Sequence, residues 1–140
     1  MVPMAVAPIN KVREVLDYGV SAIEPSKILM GIPNYGYDWP LPFIKGTTKA
    51  KTLGNVEAVN QAIKFDAPIQ FDTTAMSPFY KYTDLEVEHE VWFENARSID
   101  AKIRLIPEYK LQGASWWNIM KYFPQNWLVV NALMDINKVL

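Results

Sequence analysis

The stretch that most limits the fold is KILMGIP, residues 27–33, followed at once by NYGYDWPLPF. A short continuous apolar run of this kind suits a strand covered on both faces, as in parallel sheets. Upstream, Ile9, Val12, Val15, Leu16, Val20 and Ile23 recur at helical spacing behind Pro8. That pattern predicts an amphipathic helix starting near Pro8 and ending near Glu24-Pro25. Helix, short loop and buried strand make one half-unit of an α/β protein.

A second such unit closes the chain. Ile99, Ile103, Ile106 and Tyr109 mark a helix, and Pro107, which lacks an N–H and crowds the preceding turn, is expected to kink or end it. Gly113 sits where a C-cap glycine would precede the strand GASWW, and a last helix is expected over about Asn126 to Leu140. Residues 34–94 differ in character. A Gly/Pro/aromatic loop runs to about Leu53, and NVEAVNQAIKF then reads as a short helix capped by Asn55 with Glu57 in its first turn. PIQFD, PFYKYT and EVEHEVWF read as strands, with a turn at Thr83-Asp84 between the last two. An α+β segment is therefore expected between two α/β units.

Charge and cysteine usage exclude several functions. Fourteen basic and fifteen acidic residues leave a net charge of −1, so no nucleic-acid or anionic-membrane partner is expected. Cysteine is absent, which excludes disulfides and thiolate metal sites. The start, MVPMAVAPIN, reads as an initiator methionine on an internal segment, and localisation is not legible. His89 is the only histidine, so neither a histidine metal cluster nor a serine–histidine pair is available, and no metal or cofactor is expected. His89 itself reads as structural. Glu86, Glu88 and Glu90 would share one face of a regular strand and could divide acid and base work, but they read better as a solvated face. GIPNYG lacks the spacing of a phosphate-binding glycine loop.

The aromatics carry the functional reading. Tyr35, Tyr37, Trp39 and Phe43 follow one strand, and Trp116 and Trp117 lie at the tip of another. In parallel α/β folds, ligands bind beyond the carboxyl ends of the strands. Aromatic faces stack on the C–H faces of sugar rings and tyrosine hydroxyls bond to their edges, the lining that a carbohydrate cleft requires. Any single one of these aromatics could equally be core.

KILMGIPNYGYDWPLPF, IQFDTTAMSPFYKYTD, HEVWFENARSIDAKIRLIPEYKLQGASWW and FPQNWLVV together resemble the C-terminal part of glycoside hydrolase family 18, closest to its spore-cortex peptidoglycan hydrolases, which are N-acetylglucosaminidases, and to chitinase-like proteins. The resemblance implies an α/β fold, the C-terminal portion of a TIM (β/α)8 barrel. Residues 1–33 and 95–140 would be partial barrel units and 34–94 an α+β insertion. Such a barrel needs about 250 residues, so the chain would be one piece of it.

The family's substrate-assisted chemistry needs a glutamic acid ending D-x-x-D-x-D-x-E, and an M-x-Y-D motif supports the 2-acetamido group; this sequence has neither. The resemblance therefore implies no catalytic residue here and no glycosidase activity from the chain alone. It implies a substrate wall instead. Trp117 would floor the sugar at the cleavage site, Tyr35 would line the same subsite, Tyr37 stands where many chitinases place an arginine, and Trp39 is either stacked on sugar or packed on the insertion. Asn95 occupies a position usually held by aspartate, where either residue can cap. The implied partner is a polysaccharide containing N-acetylglucosamine, chitin or peptidoglycan, and the parent would work at the cell wall, the spore or outside the cell. Two exposed strands out of eight would also favour self-association through their free edges. A non-catalytic carbohydrate-binding module and a purely structural domain remain as alternatives.

Overall fold

A computed structural model describes residues 3–137. Two sheets organise it. β1 (Leu29–Pro33) and β7 (Gly113–Trp117) form a two-stranded parallel sheet, in register from Leu29 opposite Gly113 to Pro33 opposite Trp117. Three helices cover one face of this sheet: α1 (Ile9–Ala22), α3 (Ala96–Ile103) and α5 (Pro124–Leu133). Met30 and Ile32 of β1 meet Leu16, Ile99, Ile103, Leu105, Ile106 and Val130 there, with Ala114 and Trp116 packed against them. On the opposite face Leu29, Gly31, Ser115 and Trp117 are exposed. The expected two-sided burial of the apolar run is thus half met within the described residues.

The second sheet has five strands in the order β3-β2-β6-β5-β4. These are β2 (Gly36–Pro40), β3 (Lys51–Leu53), β4 (Gln70–Asp72), β5 (Ser77–Asp84) and β6 (Val87–Trp92), all antiparallel, with α2 (Asn55–Lys64) on one face. Tyr80, Tyr82, Val91, Phe93 and Leu53 pack against Ala58 and Ala62 of α2 to form its core.

Several expectations need correction. The segment after β1 is not irregular: Tyr37 and Trp39 lie on β2, because they alternate with Asp38 and both strand edges find partners, in β3 and β6. Gly36 is required there, since a Cβ would stand 2.4 Å from the Trp92 carbonyl oxygen. Asn55 does not cap α2. Gly54 is the N-cap, its N–H donating to Glu57 at 3.2 Å, while Asn55 Oδ1 accepts from Glu94 N at 2.9 Å. The β5–β6 turn falls on Leu85-Glu86, both with positive φ, and Asp84 still pairs with Val87. Glu86 therefore leaves the strand face, whereas Glu88 and Glu90 flank Lys81 at 3.7 and 3.3 Å.

The helix after Asn95 breaks at Arg104, and α4 (Leu105–Glu108) follows. The break comes where Pro107 would face the carbonyl of Ile103, four residues earlier. Lys110 takes the left-handed conformation expected of a C-cap glycine, and Gly113 instead begins β7. Asn95 caps α3 as expected, Oδ1 accepting from Ser98 N and its N–H donating to Ser98 Oγ, both at 2.9 Å. The last helix ends at Leu133; residues 138–140 of the expected helix lie outside the described residues.

Candidate functional site

The carboxyl ends of β1 and β7 are tied by Asn34, whose N–H donates to the Trp117 carbonyl at 2.9 Å. Its side chain is buried and turns into the next loop, Nδ2 donating to the Lys121 carbonyl at 2.5 Å and reaching that of Asn118 at 3.4 Å. Asn34 thereby fixes the loop beyond β7 against the one leaving β1. The peptide between Trp117 and Asn118 is cis.

Strand alternation separates the two adjacent tryptophans. Trp116 turns to the helix layer, its ring centroid 5.5 Å from Trp127 and its Nε1 donating to Asn126 Oδ1 at 3.2 Å. Trp117, across from Pro33, is 72% exposed on the other face. Opposite it stands a ladder of aromatic rings in edge-to-face contact: Tyr35 to Tyr37 at 5.7 Å, Tyr37 to Trp39 at 5.7 Å and Trp39 to Phe43 at 5.9 Å. Burial, then the neighbouring Tyr37, pushes the Tyr35 phenol above its usual range, so it stays protonated as a hydrogen-bond donor at neutral pH.

Of the four aromatics expected to meet sugar, Trp117, Tyr35 and Tyr37 come together. With Thr52, Asn118 and Lys121 they line one cleft of about 160 Å³. Trp39 does not reach it. That indole is 9% exposed and packed with Ala5 and Trp92, next to a second groove. Thr52, Asn118, Lys121 and the buried Asn34 were not anticipated; the only sequence signal for Asn34 is a polar residue directly after an apolar strand.

The reverse face of β2 holds a polar cluster. Asp38, 4% exposed, has Oδ1 2.7 Å from His89 Nδ1 and accepts from the Tyr82 hydroxyl at 2.6 Å through Oδ2. Gln61 of α2 donates to the Tyr82 oxygen at 2.9 Å and accepts from the Tyr80 hydroxyl at 2.7 Å. The Tyr82 ring stacks on His89 with centroids 4.7 Å apart. Burial, then the Asp38 carboxylate, pushes both phenols up and keeps them as donors. Each of its polar side chains is engaged within the cluster. What it does is clamp β2 to β5, β6 and α2, so that Tyr37 and Trp39 project rigidly from the other side. His89 is structural in this sense.

A third buried group joins the two sheets. Glu94, 1% exposed, accepts from Lys102 Nζ at 2.9 Å and Ser98 Oγ at 2.5 Å, and its backbone N–H is held by Asn55 of α2. Among the described residues no three His, Asp or Glu side chains gather as a metal site. A wider apolar groove of about 450 Å³ follows the free side of β1, lined by Val12, Val15, Ile23, Leu29 and Met30 among others. Apart from Lys11 it has no ionisable lining, and it offers no constellation for catalysis.

The family model for glycosyl hydrolases of family 18 matches residues 6–121. Over 137 residues the chain is 46% identical to the cortical fragment-lytic enzyme of Bacillus subtilis (strain 168), a match covering 97% of this chain and 32% of that protein. Its fold superposes on the crystal structure of the spore cortex-lytic enzyme SleL of Bacillus megaterium QM B1551 with a TM-score of 0.95 and 47% identity, over 100% of this chain and 33% of that one. The chitinase of Chromobacterium violaceum matches with a TM-score of 0.84 and 30% identity, over 93% of this chain and 40% of that one. The chain thus spans about a third of the length of these two cortex-lytic relatives.

Proposed function

The chain belongs to the glycosyl hydrolases of family 18, and on that premise we propose that it is the C-terminal portion of a TIM-barrel glycosidase acting on β-1,4 bonds at N-acetylglucosamine. In this reading 1–33 and 95–140 are barrel units, 34–94 is an insertion, and the chain supplies a substrate wall without the proton donor. The one-sided burial of the parallel sheet supports it. A barrel interior would cover the bare face with Leu29 and Ser115, and a further strand and helix would fill the apolar groove beside β1.

The observation that carries the functional reading is the convergence of Trp117, Tyr35 and Tyr37 on one cleft at the carboxyl ends of the parallel strands. Trp117 offers an open aromatic face for the apolar side of a pyranose ring. The Tyr35 and Tyr37 phenols, Thr52 and Asn118 then supply donors and acceptors for hydroxyl and acetamido groups. Chemistry in the family proceeds by attack of the substrate's own acetamido oxygen on the anomeric carbon while a glutamic acid protonates the leaving group. The role left to this chain is to hold that sugar in place, and alone it is expected to bind without cleaving.

Titration with N-acetylglucosamine oligomers, followed by tryptophan fluorescence, tests this. Saturable quenching that disappears in Trp117→Ala supports a sugar wall; no response from the native chain overturns it. The free edges of β1 and β7 also support self-association of the isolated chain. Light scattering at micromolar concentration is expected to find more than a monomer, and a clean monomer refutes that part.

A further inference from the structure

On the reading that the aromatic cleft holds sugar, we infer that Asn34 is its positioning residue: the Asn34 amide keeps the loop after β7 preformed, and with it the wall made by Trp117, Asn118 and Lys121. The Trp117 ring is largely exposed and, among the described residues, packs against no other aromatic ring, whereas Trp116 has Trp127 and Asn126. Its direction is therefore set by its backbone. Beyond it Ile119, Met120 and Tyr122 are all exposed, so apolar burial does little to hold the loop, which re-enters the core only at Phe123.

The loop's own hydrogen bonds curl it without anchoring it. Lys121 N–H donates to the Asn118 carbonyl at 3.3 Å and Met120 N–H to Asn118 Oδ1 at 3.1 Å, a turn closed on itself. Asn34 ties that turn to β1. Pro33 has no N–H to give, so Asn34 is the first residue past the strand that can donate, and its backbone takes the Trp117 carbonyl while Nδ2 takes that of Lys121 and reaches that of Asn118. The side chain is fully buried, which shields these bonds from competing water.

The choice of residue fits this task. The loop presents carbonyl oxygens, so the group facing them must be a donor. Asn34 Oδ1, by contrast, is buried with no partner, an unfavourable arrangement that a purely stabilising residue would not require. Across the cleft Tyr35 and Tyr37 are held edge to face in the aromatic ladder. The cleft therefore has one wall fixed by packing and one fixed by a single amide. A loop released from Asn34 would weaken sugar binding in proportion to the time it spends out of place.

Affinity for the N-acetylglucosamine tetramer, measured by calorimetry in the cold where circular dichroism shows each variant folded, tests this. Asn34→Ala is expected to bind about five- to twentyfold more weakly than the native chain. Asn34→Asp keeps the shape and adds a pH signature. Ionised, it turns an oxygen toward the Lys121 carbonyl and repels it; protonated, its O–H donates as the amide does. Burial raises such a carboxyl, so affinity relative to the native chain should be low at about pH 7.5 and recover at least about threefold by about pH 5. Lys121 on the loop and Tyr35 and Tyr37 across from it are the ionisable groups of the cleft, and the native chain measured at both pH values cancels their contribution. An asparagine that merely stabilises the fold would lower Tm in both variants and leave the affinity of the folded chain native at each pH; that result overturns the assignment. Should the variants not fold, hydrogen exchange on the native chain decides. The Met120 and Lys121 amides are expected to be protected without sugar and to change less than about threefold on adding the tetramer, whereas protection that appears only with sugar overturns the preformed loop. If the native chain binds no tetramer, the sugar wall fails and the assignment with it; in every other outcome the wall stands and Asn34 alone is judged.

Discussion

Replacing Lys102 by methionine would leave Glu94 without its cation in a site where both side chains are within 2% of full burial. Removing one partner of such a pair costs about 3–5 kcal/mol, because the remaining charge is neither solvated nor balanced. With about 2.1 cal/mol/K of unfolding entropy per residue, 140 residues give about 0.3 kcal/mol/K, so the loss corresponds to about 10–17 °C in Tm. The pH dependence adds a signature. Burial pushes the Glu94 carboxyl above its ordinary value of 4.5, and Lys102 and Ser98 oppose this only in part. A carboxyl raised in the folded state contributes stability that is complete below its ordinary pKa and is lost as pH climbs through the folded value. Without Lys102 the folded value rises further. The deficit of Lys102→Met should therefore be largest near pH 7.5 and shrink toward pH 5, where Glu94 can fold protonated. Circular-dichroism melts at the two pH values, with Glu94→Gln/Lys102→Met as the partner variant, provide the check. The double variant removes both charges and should recover most of the loss. A cost below about 1 kcal/mol for Lys102→Met, or a double variant no better than the single, would show that the pair does not carry this junction.

Gly36→Ala should cost about 1–3 kcal/mol in chemical denaturation, since its Cβ meets backbone atoms of Trp92 and Phe93 that cannot swing aside; unchanged stability refutes the close approach. Asp38→Ala strips the acceptor from Tyr82 and His89, for an expected loss of about 2–3 kcal/mol, together with weaker sugar binding as the Tyr37–Trp39 ladder loosens. Trp117→Ala should leave stability within about 0.5 kcal/mol, because the ring is 72% exposed. A large drop in its Tm would mean that Trp117 is holding the fold, not awaiting a ligand.

Elements whose stabilising contacts are local were legible from the residues alone. The 3.6-residue repeat behind Pro8 identified α1, and Ile99 and Ile103 marked α3. What failed to show was structure decided at a distance. Gly36 and Pro40 made β2 look like a loop, yet its strand conformation is imposed by partners up to residue 92. Thr83-Asp84 carries better turn residues than Leu85-Glu86, but the pairing of Tyr82 with His89 and Tyr80 with Val91 fixes the register and moves the turn outward. The candidate site was half visible. Aromatic identity pointed to it, but nothing local announces that Asn34 bolts the two strand ends together or that Lys121 lines the cleft.

The placement of Gly36 against Phe93 bears on the order in which the chain assembles. Pairing β1 with β7 joins Leu29 to Gly113, roughly eighty residues away, an unfavourable closure for a flexible chain. The hairpin-rich sheet between them is built from contacts nearer in sequence, and once formed it holds its own two ends together at Gly36 and Phe93. The remaining span, Leu29 to Gly36 and Phe93 to Gly113, then shrinks to roughly thirty residues, which lowers the closure entropy by about 1 kcal/mol. The wall of the cleft would in this way act as a splint, forming early and handing the parallel pair a short loop to close.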